Sequence, residues 1–172
     1  MDFYEVIKKR RSYRFYDESK MPDKEKIERI INSARLAPTW ANMQGVQYIV
    51  VQEKDTVKKI WRAIGQGKKF NNAPMFIVGF IHERDSGKNK NEELYYPVDF
   101  GICFEHLILA ATAEGLGTCW IGFFDEEEVK EILDIPKKYR VLGLTPLGYP
   151  SKPKEGESPR KDIEEIIHWE KY

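Results

Sequence analysis

Helical and extended hydrophobic periods alternate along this chain, so the sequence predicts a domain that mixes α-helices and β-strands. Two further observations define its size and surface. Its 172 residues are one domain's length, and 41% apolar with 13% aromatic content is enough for a real core, so one folding unit over 1–172 is expected. Lys plus Arg and Asp plus Glu balance at 28 each, which excludes the broad basic field of a non-specific nucleic-acid binder. Any cationic site must be local. No run reaches the roughly 18–20 apolar residues of a membrane span, and MDFYEVIKKRR puts charge where a signal peptide needs apolar residues. The expectation is a soluble cytoplasmic protein without membrane or nucleic-acid partners.

The elements follow in order. Asp2 and Glu5 have capping-box spacing ahead of a helix burying Phe3, Val6 and Ile7, which delivers arginines at its end. Ile27, Ile30, Ile31 and Ala34 stand at i, i+3, i+4 and i+7 of a second helix that must stop before Pro38. QYIVVQE (47–53) and PMFIVGFIHE (74–83) read as strands, flanking a helix with Val57, Ile60, Trp61 and Ile64 inward. The polar stretch ERDSGKNKNEELYY (83–96) reads as a mobile lid, with Tyr95 and Tyr96 either at a cavity edge or on the surface. VDFGICFEHLILAATAEG (98–115) is apolar on nearly every side, which predicts a central helix covered by the domain or by a second subunit. GTCWIGFF and YRVLGLTPLGY read as two more strands around the acid-capped helix DEEEVKEIL. The tail 151–172 is rich in Pro, Gly and Lys before apolar residues return, so it docks either on its own domain or as an exchanged arm on a neighbour.

Four stretches can carry chemistry, and each has a plainer structural reading. In KKRRSYR (8–14), Arg10, Arg11, Ser12 and Arg14 offer forked donors and a hydroxyl to an anion; a solvated helix end would look the same. PTWANMQ (38–44) brings Thr39, Asn42 and Gln44, which can read a planar heterocycle, or forms an ordinary loop. GLGTCWIGFF (115–124) lets backbone N–H groups approach a flat ligand, or simply enters a strand after a helix C-cap. In SPRK (158–161), Arg160 and Lys161 add cations, or belong to a solvated tail. GKKFNNAP carries Lys68, Lys69, Asn71 and Asn72 but matches no motif. Cys103 and Cys119 lack a C-x-x-C pattern or a histidine at ligand spacing, so neither metal nor disulfide is expected. His82, His106 and His168 fall in no nucleophile or acid–base triad.

Read together and in this order, R-R-S-x-R, P-T-x-x-N-x-Q, G-L-G-T-C-W-I-G and a late P-R-K resemble the nitroreductase family of flavin enzymes over nearly the whole chain. The resemblance implies a nitroreductase-like fold of the α+β class, with a mixed, mainly antiparallel sheet flanked by helices, in an intertwined homodimer binding FMN at two interface sites. It assigns the FMN phosphate and ribityl chain to Arg10 and Ser12, joined by Arg160 and Lys161, with Arg11 in the same cationic stretch. Arg14 would lie toward the pyrimidine edge, where a cation favours the reduced ring. Pro38, Thr39, Asn42 and Gln44 would come from the other subunit, with Trp40 lining the substrate pocket. Trp120, Ile121 and Gly122 would flank the ring and present a backbone N–H to flavin N5, with no catalytic side chain. The implied reaction is ping-pong transfer from NAD(P)H to a small planar acceptor such as a nitroaromatic or quinone. Alternatives are the same fold with another electron donor, in reductive dehalogenation, ring oxidation or flavin fragmentation, and a non-enzymatic anion or nucleic-acid binder.

Overall fold

A computed structural model describes residues 1–65, 73–152, 154, 156 and 158–172; Lys68, Lys69, Asn71 and Asn72 lie outside them. Helix α1 (Phe3–Lys9) starts where the Asp2 carboxylate accepts the N–H groups of Tyr4 and Glu5, at 2.8 and 3.1 Å. Of its three expected core residues only Val6 is buried. Phe3 and Ile7 are 64% and 45% exposed, because two turns of helix turn a single narrow face toward the domain. Helix α2 (Lys24–Arg35) is capped by Asp23 and buries Ile27, Ile30 and Ala34, ending before Pro38 as expected. Strand β1 (Gln47–Val51) leads to α3 (Lys54–Ile64), capped by the Glu53 carboxylate. Next come β2 (Met75–His82), α4 (Tyr96–Ala113), β3 (Gly117–Thr118), α5 (Glu126–Ile132) and β4 (Tyr139–Gly148).

The sheet order is β1-β2-β4-β3, with every named pair antiparallel. The parallel contribution is an isolated bridge between Ser12 and Thr118. Alternation along β2 divides the core. Phe76, Val78 and Phe80 face α3 and α5, with Val57, Ile60, Ile64 and Val129; Met75 and Ile77 face α2 and α4, with Ile30, Phe104 and Leu107. A register shift between Gly79 and Phe80 keeps Val141 on the same side as Leu144. The result is a sheet sandwiched between two helical layers, which is why β2 reads as a continuous apolar run.

Two elements depart from the sequence reading. GTCWIGFF is a strand only at Gly117–Thr118. The Cys119 N–H then goes to the buried Thr145 hydroxyl at 2.9 Å, and pairing resumes where Ile121 and Leu144 exchange both backbone bonds. Pro146 brings no N–H to this step of β4, so the ladder is interrupted and Trp120 is turned out. The expected lid is also bonded rather than loose. Asn89 N–H donates to Glu93 O at 3.1 Å, Tyr95 N–H to Gly87 O at 2.9 Å, and Arg140 pairs with Glu83 at 3.4 Å. Tyr96 is buried, its hydroxyl accepting from Arg140 at 3.1 Å, while Tyr95 packs edge-on against Trp40. Among the described residues no helix is long and apolar enough to cross a membrane.

Candidate functional site

The cationic stretch leaves α1 with the Arg10 N–H still bonded to Val6 O, then runs beside β3. The Ser12–Thr118 bridge and a 2.8 Å bond from Tyr13 N–H to Thr118 O fix it there. Gly117 permits this approach, since a Cβ on it would stand 3.0 Å from the Tyr13 Cβ. Two of the four sequence motifs are thereby brought side by side. Between the cationic stretch and the tail lies an open cleft of about 580 Å³, lined by Arg10, Arg11, Ser12, Arg14 and Arg160.

The tail also supplies Lys154 and Ser158 to this cleft, which the motif reading did not single out. Lys154 reaches in by donating to Ser12 O at 2.7 Å. Its signal lay in the lysines of SKPKEGESPRK, which spacing alone does not rank. Lys161 is exposed and is not among the residues lining the cleft. Arg11 divides its guanidinium among three carbonyls, those of Lys8, Arg10 and Gly156. It therefore ties the tail to the end of α1 as well as lining the cleft.

Charge from this cleft acts on its neighbours. Burial pushes the Cys119 thiol up, while Arg14, a hydrogen bond with Ser12, and Lys154 and Arg10 pull the other way. Glu105, half-way along α4, is raised by burial and opposed by Arg10. Cys103 is pushed up to about 11, by burial first and then by the Asp99 carboxylate. Both cysteines are buried free thiols, as expected. Among the described residues no cluster of His, Cys, Asp and Glu could hold a metal ion. The histidines have structural contacts: His82 Nδ1 accepts the Arg84 N–H at 3.0 Å, His106 Nδ1 lies 3.3 Å from Ser33 O, and His168 packs on Tyr172.

The segment after β3 offers a flat, open edge. Ile121 N–H is committed to Leu144 O at 2.9 Å, so it is not the donor left for a ligand. Gly122 is exposed, and a Cβ on it would meet nothing within 4 Å. Trp120 packs its ring edge-on against Phe104, 4.8 Å between centroids.

The loop at 38–44 belongs to another wall. Thr39 and Gln44 line a separate cavity of about 220 Å³ beside Tyr48 and Cys103, and neither lines the cationic cleft. The loop is tightly wound: Ala41, Asn42 and Gln44 all have positive φ (45°, 57° and 54°), a region that non-glycine residues occupy at a cost. Local bonds offset it. Asn42 N–H donates to Thr39 O at 3.0 Å, Met43 N–H to Trp40 O at 2.9 Å, and Gln44 N–H to the Thr39 hydroxyl at 3.0 Å. Gln44 Nε2 also donates to Asn42 O at 3.3 Å. Pro38 is exposed just after α2, and Trp40 is half-buried. One buried carboxylate, Asp99, accepts the Trp40 N–H at 2.9 Å and the Ser86 hydroxyl at 2.7 Å. An acid near the start of the mostly apolar α4 run was the visible sign of it.

Relatives give this geometry its context. The Nitroreductase family model matches residues 7–74 and 62–149. A relative from Archaeoglobus fulgidus, provisionally named NADH dehydrogenase/NAD(P)H nitroreductase, is 33% identical over 172 residues and aligns over 97% of each chain. Bacillus subtilis FMN reductase (NAD(P)H) is 30% identical over 188 residues, covering 98% of this chain and 74% of its own. A crystal structure of a nitroreductase family protein from Clostridium novyi NT superposes with a TM-score of 0.82 and 40% identity, over 90% of this chain and 89% of that one. Sequence and architecture agree over almost the full length, and the chain belongs to the nitroreductase family.

Proposed function

We propose that this chain is an FMN-dependent oxidoreductase that passes hydride from NAD(P)H to a small planar acceptor such as a nitroaromatic or a quinone. The observation that carries the reading is the junction of the R-R-S-x-R stretch with G-T-C-W-I-G across the Ser12–Thr118 bridge. It sets a phosphate-sized cluster of cations and a hydroxyl beside an open backbone edge, and that donor set fits FMN. Arg10, Ser12 and Arg160 would hold the phosphate and ribityl chain, with Lys154 joining them and Lys161 reaching them only by moving. Arg14 would face the pyrimidine edge. When bound, FMN would supply the two-electron redox chemistry that links a nicotinamide donor to a planar acceptor.

The chain's own part is binding, orientation and exclusion of water. Gly122 carries the N–H proposed to face N5, because the Ile121 donor is already taken. Trp120 and Ile121 back that edge. Asn42 and Gln44, wound on a loop that lines a different cavity, are proposed to complete the site of a second copy, with Pro38 and Thr39 shaping the loop and Trp40 walling the substrate space.

A homodimer fits the exposed apolar surface. Phe3, Tyr4 and Ile7 on α1, and Ile163, Ile166, Ile167 and Trp169 in the tail, are 40–85% exposed in one chain. Sedimentation equilibrium is expected to give twice the 20.2 kDa chain mass, and removal of residues 162–172 to shift it toward the monomer. A full chain that sediments as a monomer would contradict the shared site.

Anaerobic titration tests the activity. FMN-loaded protein should bleach on addition of NADH or NADPH and regain its colour when a quinone is added. Protein that takes up no FMN overturns the proposal. A flavoprotein reduced by dithionite but not by either nicotinamide would instead favour the same fold working with another electron donor.

A further inference from the structure

Asp99 is 2% exposed, yet among the described residues its carboxylate pairs with no cation; both oxygens join two loops. Oδ1 takes the backbone N–H of Trp40 in the 38–44 loop, and Oδ2 takes the hydroxyl of Ser86 in the 83–95 segment. A buried charge is tolerated only when its hydrogen bonds are made, so this carboxylate holds both partners strongly. Other contacts interlock the same two loops. A Cβ on Gly87 would stand 2.0 Å from Trp40 Nε1, so the indole lies directly on that backbone. Tyr95 also packs edge-on against this indole, ring centroids 4.8 Å apart at 63°. Gly45 is pressed against Asp85, where an added Cβ would lie 2.5 Å from the Asp85 Cβ. The 83–95 segment is anchored elsewhere by the Glu83–Arg140 pair.

We propose that Asp99 is a positioning residue for acceptor selection: by holding the Trp40 amide and the Ser86 hydroxyl together, it fixes the indole as a wall that sets the largest planar acceptor admitted. The proposal rests on the functional reading above, in which Trp40 faces the substrate space. A wall held from behind by a buried carboxylate keeps its place as acceptors of different size enter. Released, the indole and the 83–95 segment shift together, and discrimination by size falls. The cation cluster proposed for the phosphate is untouched, since neither Asp99 nor Ser86 lines that cleft.

The experiment follows reoxidation of FMN-loaded protein, reduced beforehand with dithionite, by 1,4-benzoquinone, 1,4-naphthoquinone and 9,10-phenanthrenequinone. Steady-state KM and kcat with NAD(P)H are measured in parallel. In Asp99→Ala the ratio of the second-order rate constants for the largest and smallest quinone should change on the order of tenfold, the scale on which pocket walls discriminate. Maximal turnover with benzoquinone, measured at saturating FMN, should stay near wild type. Ser86→Ala, which removes one arm, and Gly87→Ala, which pushes on the indole, should move the same ratio, whereas Ser86→Thr keeps the hydroxyl and should restore it. These variants decide the matter if Asp99→Ala does not fold. Amide exchange should accelerate in 38–44 and 83–95 together in Ser86→Ala, with or without FMN.

An unchanged size ratio in folded Ser86→Ala and Gly87→Ala overturns the proposal. So does exchange that rises in 83–95 alone, or an equal loss of rate with every quinone, which is what a merely structural role gives. Absence of reduction by NAD(P)H strikes the functional reading alone, because the dithionite-reduced reaction still reports the ratio.

Discussion

An Arg10→Ala variant is expected to bind FMN roughly 10- to 100-fold more weakly than the wild-type protein. Charge-assisted hydrogen bonds of the kind a guanidinium makes to a phosphate are worth about 1.5–3 kcal/mol, and each 1.4 kcal/mol is a factor of ten. Arg10 is suited to this role because its backbone is anchored by the final bond of α1 while its side chain lines the cleft beside Ser12. Fluorescence titration of the apoprotein with FMN measures the effect. The loss should shrink as ionic strength rises, since part of the attraction is screened. Lys161→Ala, changed at a cation that does not line the cleft, is the internal comparison and should cost far less. An Arg10→Ala protein with wild-type affinity would move the phosphate to a different part of the surface.

The second large effect is on stability. Phe104→Ala should lower the unfolding free energy by about 3–5 kcal/mol, the usual range for deleting a buried aromatic ring. Phe104 is completely buried on the α2–α4 side of the sheet, stacked on Phe100 at 5.1 Å and meeting the edge of Trp120 at 4.8 Å. The cavity would also withdraw the support of Trp120, so weaker FMN binding should accompany the lower midpoint in urea. Phe104→Leu, which keeps most of the volume, should cost much less. A midpoint unaffected by Phe104→Ala would contradict the packing described for α4.

Most of the fold was legible because its signals are local. Asp2, Asp23 and Asp125 cap the helices they precede, and the continuous apolar run of β2 follows from burial on both faces. What could not be read depends on residues far away in the chain. The interruption at Cys119 and Trp120 arises from Thr145 and Pro146 across the sheet, and nothing within GTCWIGFF announces it. Polarity in 83–95 was read as looseness, whereas its polar groups bond one another and the buried Asp99. For the candidate site, the order of motifs pointed to the arginines, Ser12 and the 38–44 loop, of which the arginines and Ser12 share one cleft. Lys154, Asp99 and the loss of the Ile121 N–H to Leu144 required coordinates, because each is a matter of which partner a common group finds.

The Ser12–Thr118 bridge also bears on when the protein can acquire its cofactor during synthesis. A growing chain exposes its arginines first, but the strand they lie against emerges only after most of the sequence has been translated, and Arg160 follows near the end. Contacts this remote in sequence form late, after the chain has closed long loops. Loading with flavin is therefore expected only once Thr118 and Arg160 have been made, and chains truncated before Thr118 should stay colourless.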